Sequence, residues 1–212
     1  LESEDLFAKY HKIQSIFKRN MDCPKKSFHM DKFSKPEFEY LQNNMWEFTE
    51  KVDGTNVRVA WDGEGFKFGG RTDNAQMPMP LIDALQAMFV VKAFKDEFGS
   101  APITVYGEGY GGKIQKGSKY NPVQTFVCFD IRIEGWWMRR EDVDGICERL
   151  GIKSVPILGV GALQEGIDLV QSGLISAWGD FEAEGIVARP TLELEGRNGG
   201  RIITKIKARD FK

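Results

Sequence analysis

No stretch of the sequence approaches the ~20 consecutive apolar residues that a membrane-spanning helix needs. No basic-then-apolar run resembling a leader stands at its start. Cysteine is scarce: Cys23, Cys128 and Cys147 are an odd number, widely spaced, without a paired-cysteine metal signature. That argues against a disulfide framework and a zinc ribbon. Cys128 lies in the apolar run "TFVCFDI" and is expected as a buried thiol. The expectation is the cytoplasm or another reducing intracellular compartment, with no membrane partner. Histidine is scarcer still, and His11 and His29 are too isolated to suggest a zinc site. Charge of one sign is also missing. Lys plus Arg number 29 against 31 Asp plus Glu, a net charge of −2, so no global attraction to nucleic acid is expected. Internal repeats and long disordered linkers are absent.

What the sequence does have is an ordinary globular balance, 42% apolar and 28% charged over 212 residues, with 15 Phe and 5 Trp to fill a core. This length fits one domain spanning 1–212, with 1–45 as an N-terminal helical or looped segment and no separate C-terminal domain. Two local basic runs stand out. "KIQKGSKY" (113–120) carries three lysines and no acid, and "RIITKIKARDFK" (201–212) carries five basic residues against one acid. Taken alone, either is most simply a solvated loop or chain end.

Leu6, Tyr10, Ile13 and Phe17 recur at helical spacing, so a helix is expected within 1–20. Strands are expected over 46–51, 55–61 and "FKFGGR". Residues 81–98 read as a helix presenting Leu81, Leu85, Met88 and Phe89. "ITVYGEGYGG" reads as a strand entering a glycine-rich loop, and "VQTFVCFDIRI" as the strongest strand in the chain. Helices are expected over 139–150 and 165–178, and strands over Glu184–Arg189 and Arg201–Arg209. Hairpins mixed with helical insertions, without a steady βαβ repeat, predict an α+β fold with antiparallel sheets.

The chemistry centres on "EFTEKVDGTNVRVAW" (47–61). A tight turn explains Asp53 and Gly54 but leaves Lys51 unexplained. A lysine is a nucleophile only as the free amine, and in water it stays protonated up to a pH of about 10. A carboxylate such as Asp53 works against that release unless a metal ion offsets its charge. Lys205 and Lys207 in "TKIKAR" share one strand face, with Ile206 and Ala208 on the other. Were that face to meet Lys51, the cluster would favour the free amine and draw in a phosphate. Glu108 sits between glycines in "VYGEGYGG", and Glu184 opens "EGIVAR". Glycines there let a ligand approach the backbone, though an edge-capping acid explains either residue equally well.

The ordered series "KVDGTN" (51–56), "GGRT" (69–72), "VYGEGYGG" (105–112), "CFDI" (128–131), "EGIVAR" (184–189) and "TKIKAR" (204–209) resembles the nucleotidyltransferase domain of the covalent nucleotidyltransferases, the superfamily of ATP-dependent ligases and capping enzymes. Within that group it most resembles the RNA ligases. The resemblance implies an ATP-grasp-like ligase catalytic domain of antiparallel sheets flanked by helices. It implies that Lys51 attacks the α-phosphate of ATP and carries AMP, with Asp53 organising the lysine and the metal. Arg71 would contact the nucleotide, Glu108 the ribose, Phe129 the adenine and Glu184 the metal. Lys205 and Lys207 would contact the α-phosphate. The implied cofactors are ATP and Mg2+, with Mn2+ as an alternative. The implied partner is RNA with 5′-phosphate and 3′-hydroxyl ends, a nicked duplex being one form of it, while protein partners stay unspecified. The rival readings are a DNA ligase or nick-sealing repair enzyme, and a nucleic-acid-binding module without catalysis. Asn56, where many DNA ligases carry arginine, leans towards RNA. The basic runs could grip backbone phosphates without reading bases.

Overall fold

The computed structural model describes residues 6–22 and 27–212. The chain divides into two compact units. One contains the residues up to His11 together with Asp53–Val155, and the other contains Lys12–Val52 and Pro156–Lys212.

The second unit is built on a five-stranded sheet. Its strands are β1 (Gln14–Ser15), β4 (Trp46–Glu50), β10 (Ile157–Gly161), β11 (Gly185–Pro190) and β12 (Thr204–Lys207), in the order β1-β12-β11-β4-β10. All neighbouring pairs are antiparallel except β1 with β12. Strand β4 shows why this segment is extended: Trp46 and Phe48 alternate inward at period two and are buried. They pack with Phe38 of α1 (Pro36–Tyr40), with Ile186 and Ile206, and with Leu163, Ile167 and Val170 of α5 (Leu163–Gln171). A two-stranded ribbon, β2 (Phe17–Arg19) with β3 (Phe28–Phe33), completes the unit.

The first unit holds an antiparallel sheet in the order β6-β5-β7-β8-β9. Its strands are β5 (Thr55–Trp61), β6 (Phe66–Gly70), β7 (Ile103–Tyr110), β8 (Thr125–Ile133) and β9 (Trp136–Trp137). Val57, Val59 and Trp61 of β5 face Ile103 and Val105 of β7 and Phe126 and Ile131 of β8. Helices α2 (Met79–Met88), α3 (Val91–Phe98) and α4 (Arg140–Leu150) cover that face with Leu81, Leu85, Phe94, Val143 and Ile146.

The architecture is the expected α+β one, with four local differences. The helix expected within 1–20 is not there over the described residues 8–20, which instead contain β1 and β2. The reason is packing. Tyr10 lies against Tyr106 and Trp137 in one unit, while Phe17 packs against the core of the other, and one helical stripe cannot serve two cores. The helix over 81–98 is two helices, α2 and α3. Phe89 is extended at the break, which brings its ring 5.6 Å from Phe94 in a single core. Helix α5 stops at Gln171, where Ser172 caps it and Gly173 at φ 86° turns the chain away. Strand β12 is shorter than expected and passes into a 3₁₀ turn at Ala208–Phe211. No helix among the described residues is long and apolar enough to cross a membrane.

Leu85 is fully buried at the centre of the first unit's core. Leu85→Ala should cost about 2–5 kcal/mol, read as a lower urea midpoint with an unchanged denaturant slope.

Candidate active site

Lys51 follows β4 directly, where the backbone is fixed from both sides. Its amide donates to the Gly185 carbonyl at 2.9 Å, and the Glu50 amide donates to Pro156 at 3.1 Å. Residue 185 has to be glycine, since a Cβ there would stand 2.1 Å from the Ile206 carbonyl oxygen. That close approach places Glu184 beside the end of β12, and the Ala208 amide donates to the Glu184 carbonyl at 3.0 Å. Lys51 and Glu184 are thus presented at neighbouring strand ends by main-chain bonds.

Their side chains meet. Lys51 Nζ donates to Glu184 Oε2 at 2.6 Å, and Lys207 Nζ donates to Glu184 Oε1. The Lys51 and Glu184 side chains are 23% and 15% exposed, so the pair is largely withdrawn from water. Burial alone would push the Glu184 carboxyl up, but the charge of Lys51 and the hydrogen bonds from Lys207 and Lys51 outweigh it. Its pKa is held below the ordinary 4.5. Lys205 stands two residues before Lys207 on the same side of β12, while Thr204 and Ile206 are buried on the other. Lys51 and Lys207 are therefore brought together, with a carboxylate between their ammonium groups.

The sequence reading missed the residue beneath this cluster. Glu50 is 1% exposed, and its carboxylate accepts from the Ser176 hydroxyl at 2.6 Å and the Ala177 amide at 2.8 Å. These bonds tie the turn at 176–177 to the strand end that carries Lys51. The signal was present: Glu50 shares the inward face of β4 with Trp46 and Phe48, and an acid in phase with an apolar face calls for buried partners.

The remaining expected residues lie in the first unit. Asp53 opens it and is half-buried. Gly54 packs so closely on β7 that a Cβ would come within 2.3 Å of the Gly109 carbonyl oxygen and 2.8 Å of Glu108 Cγ. Glu108 is half-buried and pairs in register with Asn56. Arg71 is exposed just past β6. Its loop is tied back through Asp73, which pairs with Lys9 at 2.7 Å and with buried Arg58. The hydrogen bond from Lys9, and then that from Arg58, hold the Asp73 carboxyl down at about 2.

Phe129 is half-buried, although it lies in the most apolar strand. The register explains it. Tyr106 pairs with Asp130 and Gly107 with Cys128, so Phe129 is the extra residue of a β-bulge with no partner on β7. Its carbonyl accepts from Arg140 Nη1 at 3.0 Å, and Tyr10 packs edge-on to its ring at 4.9 Å. A bulge re-aims a side chain in this way, and no composition signal in "TFVCFDI" reveals it.

No group of three or more His, Cys, Asp or Glu able to hold a metal ion gathers among the described residues. Glu184 nevertheless offers a carboxylate next to the cluster. This donor set does not suit a closed protein cage. It suits a hard cation carried in on phosphate oxygens, which takes one or two carboxylates from the protein.

A mixed α+β fold whose sheets are flanked by helices is that expected of a nucleotidyltransferase ligase domain. The chain belongs to the RNA ligase family, whose profile matches residues 44–207. Among solved structures it is similar to Naegleria gruberi RNA ligase with PPi, at 17% identity and a TM-score of 0.71, over 97% of this chain and 57% of that one. A variant of the same ligase with ATP and Mn matches at 18% identity and a TM-score of 0.67, over 83% of this chain and 52% of that one. Another variant, with AMP and Mn, matches at 17% and 0.67, over 83% and 53%. At these identities the likeness is one of fold, and the chain spans about half the length of the solved structures it matches. No curated protein matches the chain.

Glu184 has a depressed pKa, so its pairing stabilises the fold fully above pH 4.5 and loses that contribution as pH falls through its folded value. Glu184→Gln should therefore flatten the fall in stability below pH 4.5, measured by urea denaturation across the acid range. It should also lower stability at neutral pH, where two ammonium groups would lose their shared carboxylate.

Proposed function

We propose that the protein is an ATP-dependent RNA ligase that joins 5′-phosphate and 3′-hydroxyl ends through a lysyl–AMP intermediate. The observation that carries this reading is the contact of Lys51 and Lys207 with the two oxygens of Glu184, within a chain of the RNA ligase family.

In the first step Lys51 Nζ, as the free amine, attacks the α-phosphorus of ATP. A phosphorus–nitrogen bond forms, the bond to the bridging oxygen breaks, and pyrophosphate leaves with the electron pair. The amine must surrender a proton and its contact with Glu184 to do so. Lys205 and Lys207 neutralise the charge that grows on the α-phosphate oxygens. A divalent ion, Mg2+ or alternatively Mn2+, would shield the triphosphate, with Glu184 and Asp53 as its protein carboxylates. Arg71 would bind the nucleotide and later the reacting ends, Glu108 the ribose hydroxyls, and Phe129 the adenine face. In the second step a 5′-phosphate oxygen displaces Lys51 from AMP and gives a 5′–5′ pyrophosphate-linked end. In the third, the 3′-hydroxyl oxygen attacks the RNA phosphorus, AMP leaves, and the hydroxyl proton passes to solvent. Alignment of the two ends should supply much of the rate.

Incubation with α-labelled ATP and Mg2+ should leave AMP on Lys51 after denaturation, and Lys51→Ala should abolish the label. Absence of label on a sample shown to be free of bound AMP would reject the assignment. Sealing of all-DNA nicks with neglect of RNA ends would move it to DNA repair. Phe129→Ala should raise the KM for ATP roughly tenfold or more, since stacking on an aromatic ring is worth about 1–3 kcal/mol per base, with a smaller change in kcat.

A further inference from the structure

The loop between β7 and β8 has an architecture that a solvated charge run does not need. The Ile114 amide donates to Gly111, Gly117 to Ile114, and Tyr120 to Gly117, at 3.1, 2.7 and 2.9 Å. These are successive turns of period three, the spacing at which side chains three apart eclipse one another. Ile114, Gly117 and Tyr120 accordingly point inward and are buried, while Lys113, Lys116 and Lys119 are all exposed. The base of the loop is closed by the Gly112 amide on the Asn121 carbonyl at 2.9 Å. Tyr120 packs edge-on to Tyr110. The turns are tight enough that a Cβ on Gly117 would stand 2.6 Å from the Gly111 nitrogen. Gln115 is held at φ 50°, an uncommon conformation for a residue with a side chain. A non-glycine residue in that region costs free energy and persists where the surroundings fix it.

The electrostatics are equally one-sided. From Gly109 to Phe129 there is no Asp or Glu, and none of the three lysines has an acidic partner among the described residues. Three ammonium groups therefore project from a braced platform. They lie on an exposed surface and do not converge on a pocket, which suits an extended polyanion better than a small one. The loop's own aromatics, Tyr110 and Tyr120, are buried, so it offers no stacking surface for bases. It follows immediately on the strand that carries Glu108.

We propose that Lys113, Lys116 and Lys119 form a sequence-independent docking surface for the phosphodiester backbone of the RNA to be sealed. The proposal rests on the ligase reading above and adds to it the surface that grips the polynucleotide. Because the turns already hold the backbone in place, little of it has to be ordered on binding. Each phosphate neutralised on a single strand contributes about 0.7 to the slope of log affinity against log salt.

The test compares the full chain with its Lys113→Ala/Lys116→Ala/Lys119→Ala variant. Binding of a 5′-phosphorylated RNA oligonucleotide is measured from about 50 to 200 mM salt, alongside AMP transfer from labelled ATP without RNA. A slope shallower by about 2 and affinity at low salt reduced roughly tenfold or more, with lysyl–AMP still formed, support the surface. A Lys113→Arg/Lys116→Arg/Lys119→Arg variant should restore the slope, which a merely misfolded loop would not. An unchanged slope in the alanine variant of a protein that seals RNA overturns the surface and leaves the ligase reading standing. Loss of lysyl–AMP formation with an unchanged RNA slope also overturns it, by moving the lysines to the nucleotide. Wild-type protein that neither takes up AMP nor binds RNA removes the ligase reading, and the docking surface falls with it.

Discussion

Glu184 is the centre on which the second unit's chemistry turns. One of its oxygens holds Lys51 and the other holds Lys207, and both lysines are largely shielded from water. Two ammonium groups against one carboxylate leave the trio net positive. The assembly tolerates its own crowding because the carboxylate offsets repulsion between the amines. Its remaining positive field suits the approach of a phosphate. The same carboxylate keeps Lys51 occupied, so the proposed attack on a nucleotide would have to replace one ion pair with another.

The framework that creates this centre is made of main-chain bonds and close approaches. Glu184, Lys51 and Lys207 lie at the ends of three strands that neighbour one another in one sheet. The glycine after Glu184 allows two of those strands to come together without a clash. Below them, Glu50 fastens the end of β4 to the turn at 176–177. The first unit uses the same kind of device, with the Arg71 loop anchored through Asp73 and the carbonyl of Phe129 anchored by Arg140.

Strands β4 and β5 were legible because their large apolar residues, Trp46 and Phe48 or Val57, Val59 and Trp61, alternate along the chain, even though residues 57–61 are buried on both faces. So was the ordered set of motifs, since each couples a charged residue to a glycine or an apolar strand. The N-terminal segment was not legible, because Tyr10 and Phe17 look like one helical stripe until two separate cores claim them. The break at Phe89 was hidden for a similar reason: helix propensity carries across it, and only packing against Phe94 ends α2 there. At the site, residue types disclosed the lysines and acids but not their pairing. That Glu184 would lie between Lys51 and Lys207 depends on strand order, a long-range property. Glu50 could have been found by phase alone.

The extra residue in β8 has an implication for which changes this strand can accept. Ahead of it, Cys128 pairs with Gly107 and bridges to Ser154; after it, Asp130 through Ile133 pair with Tyr106 through Ile103. With both flanks anchored, the strand cannot absorb a lost residue by sliding, since a shift of one turns every inward side chain outward. The number of residues between Cys128 and Asp130 is therefore fixed by the register on both sides of the bulge. An insertion or deletion here would break pairing on one flank, whereas a substitution at 129 leaves both ladders intact.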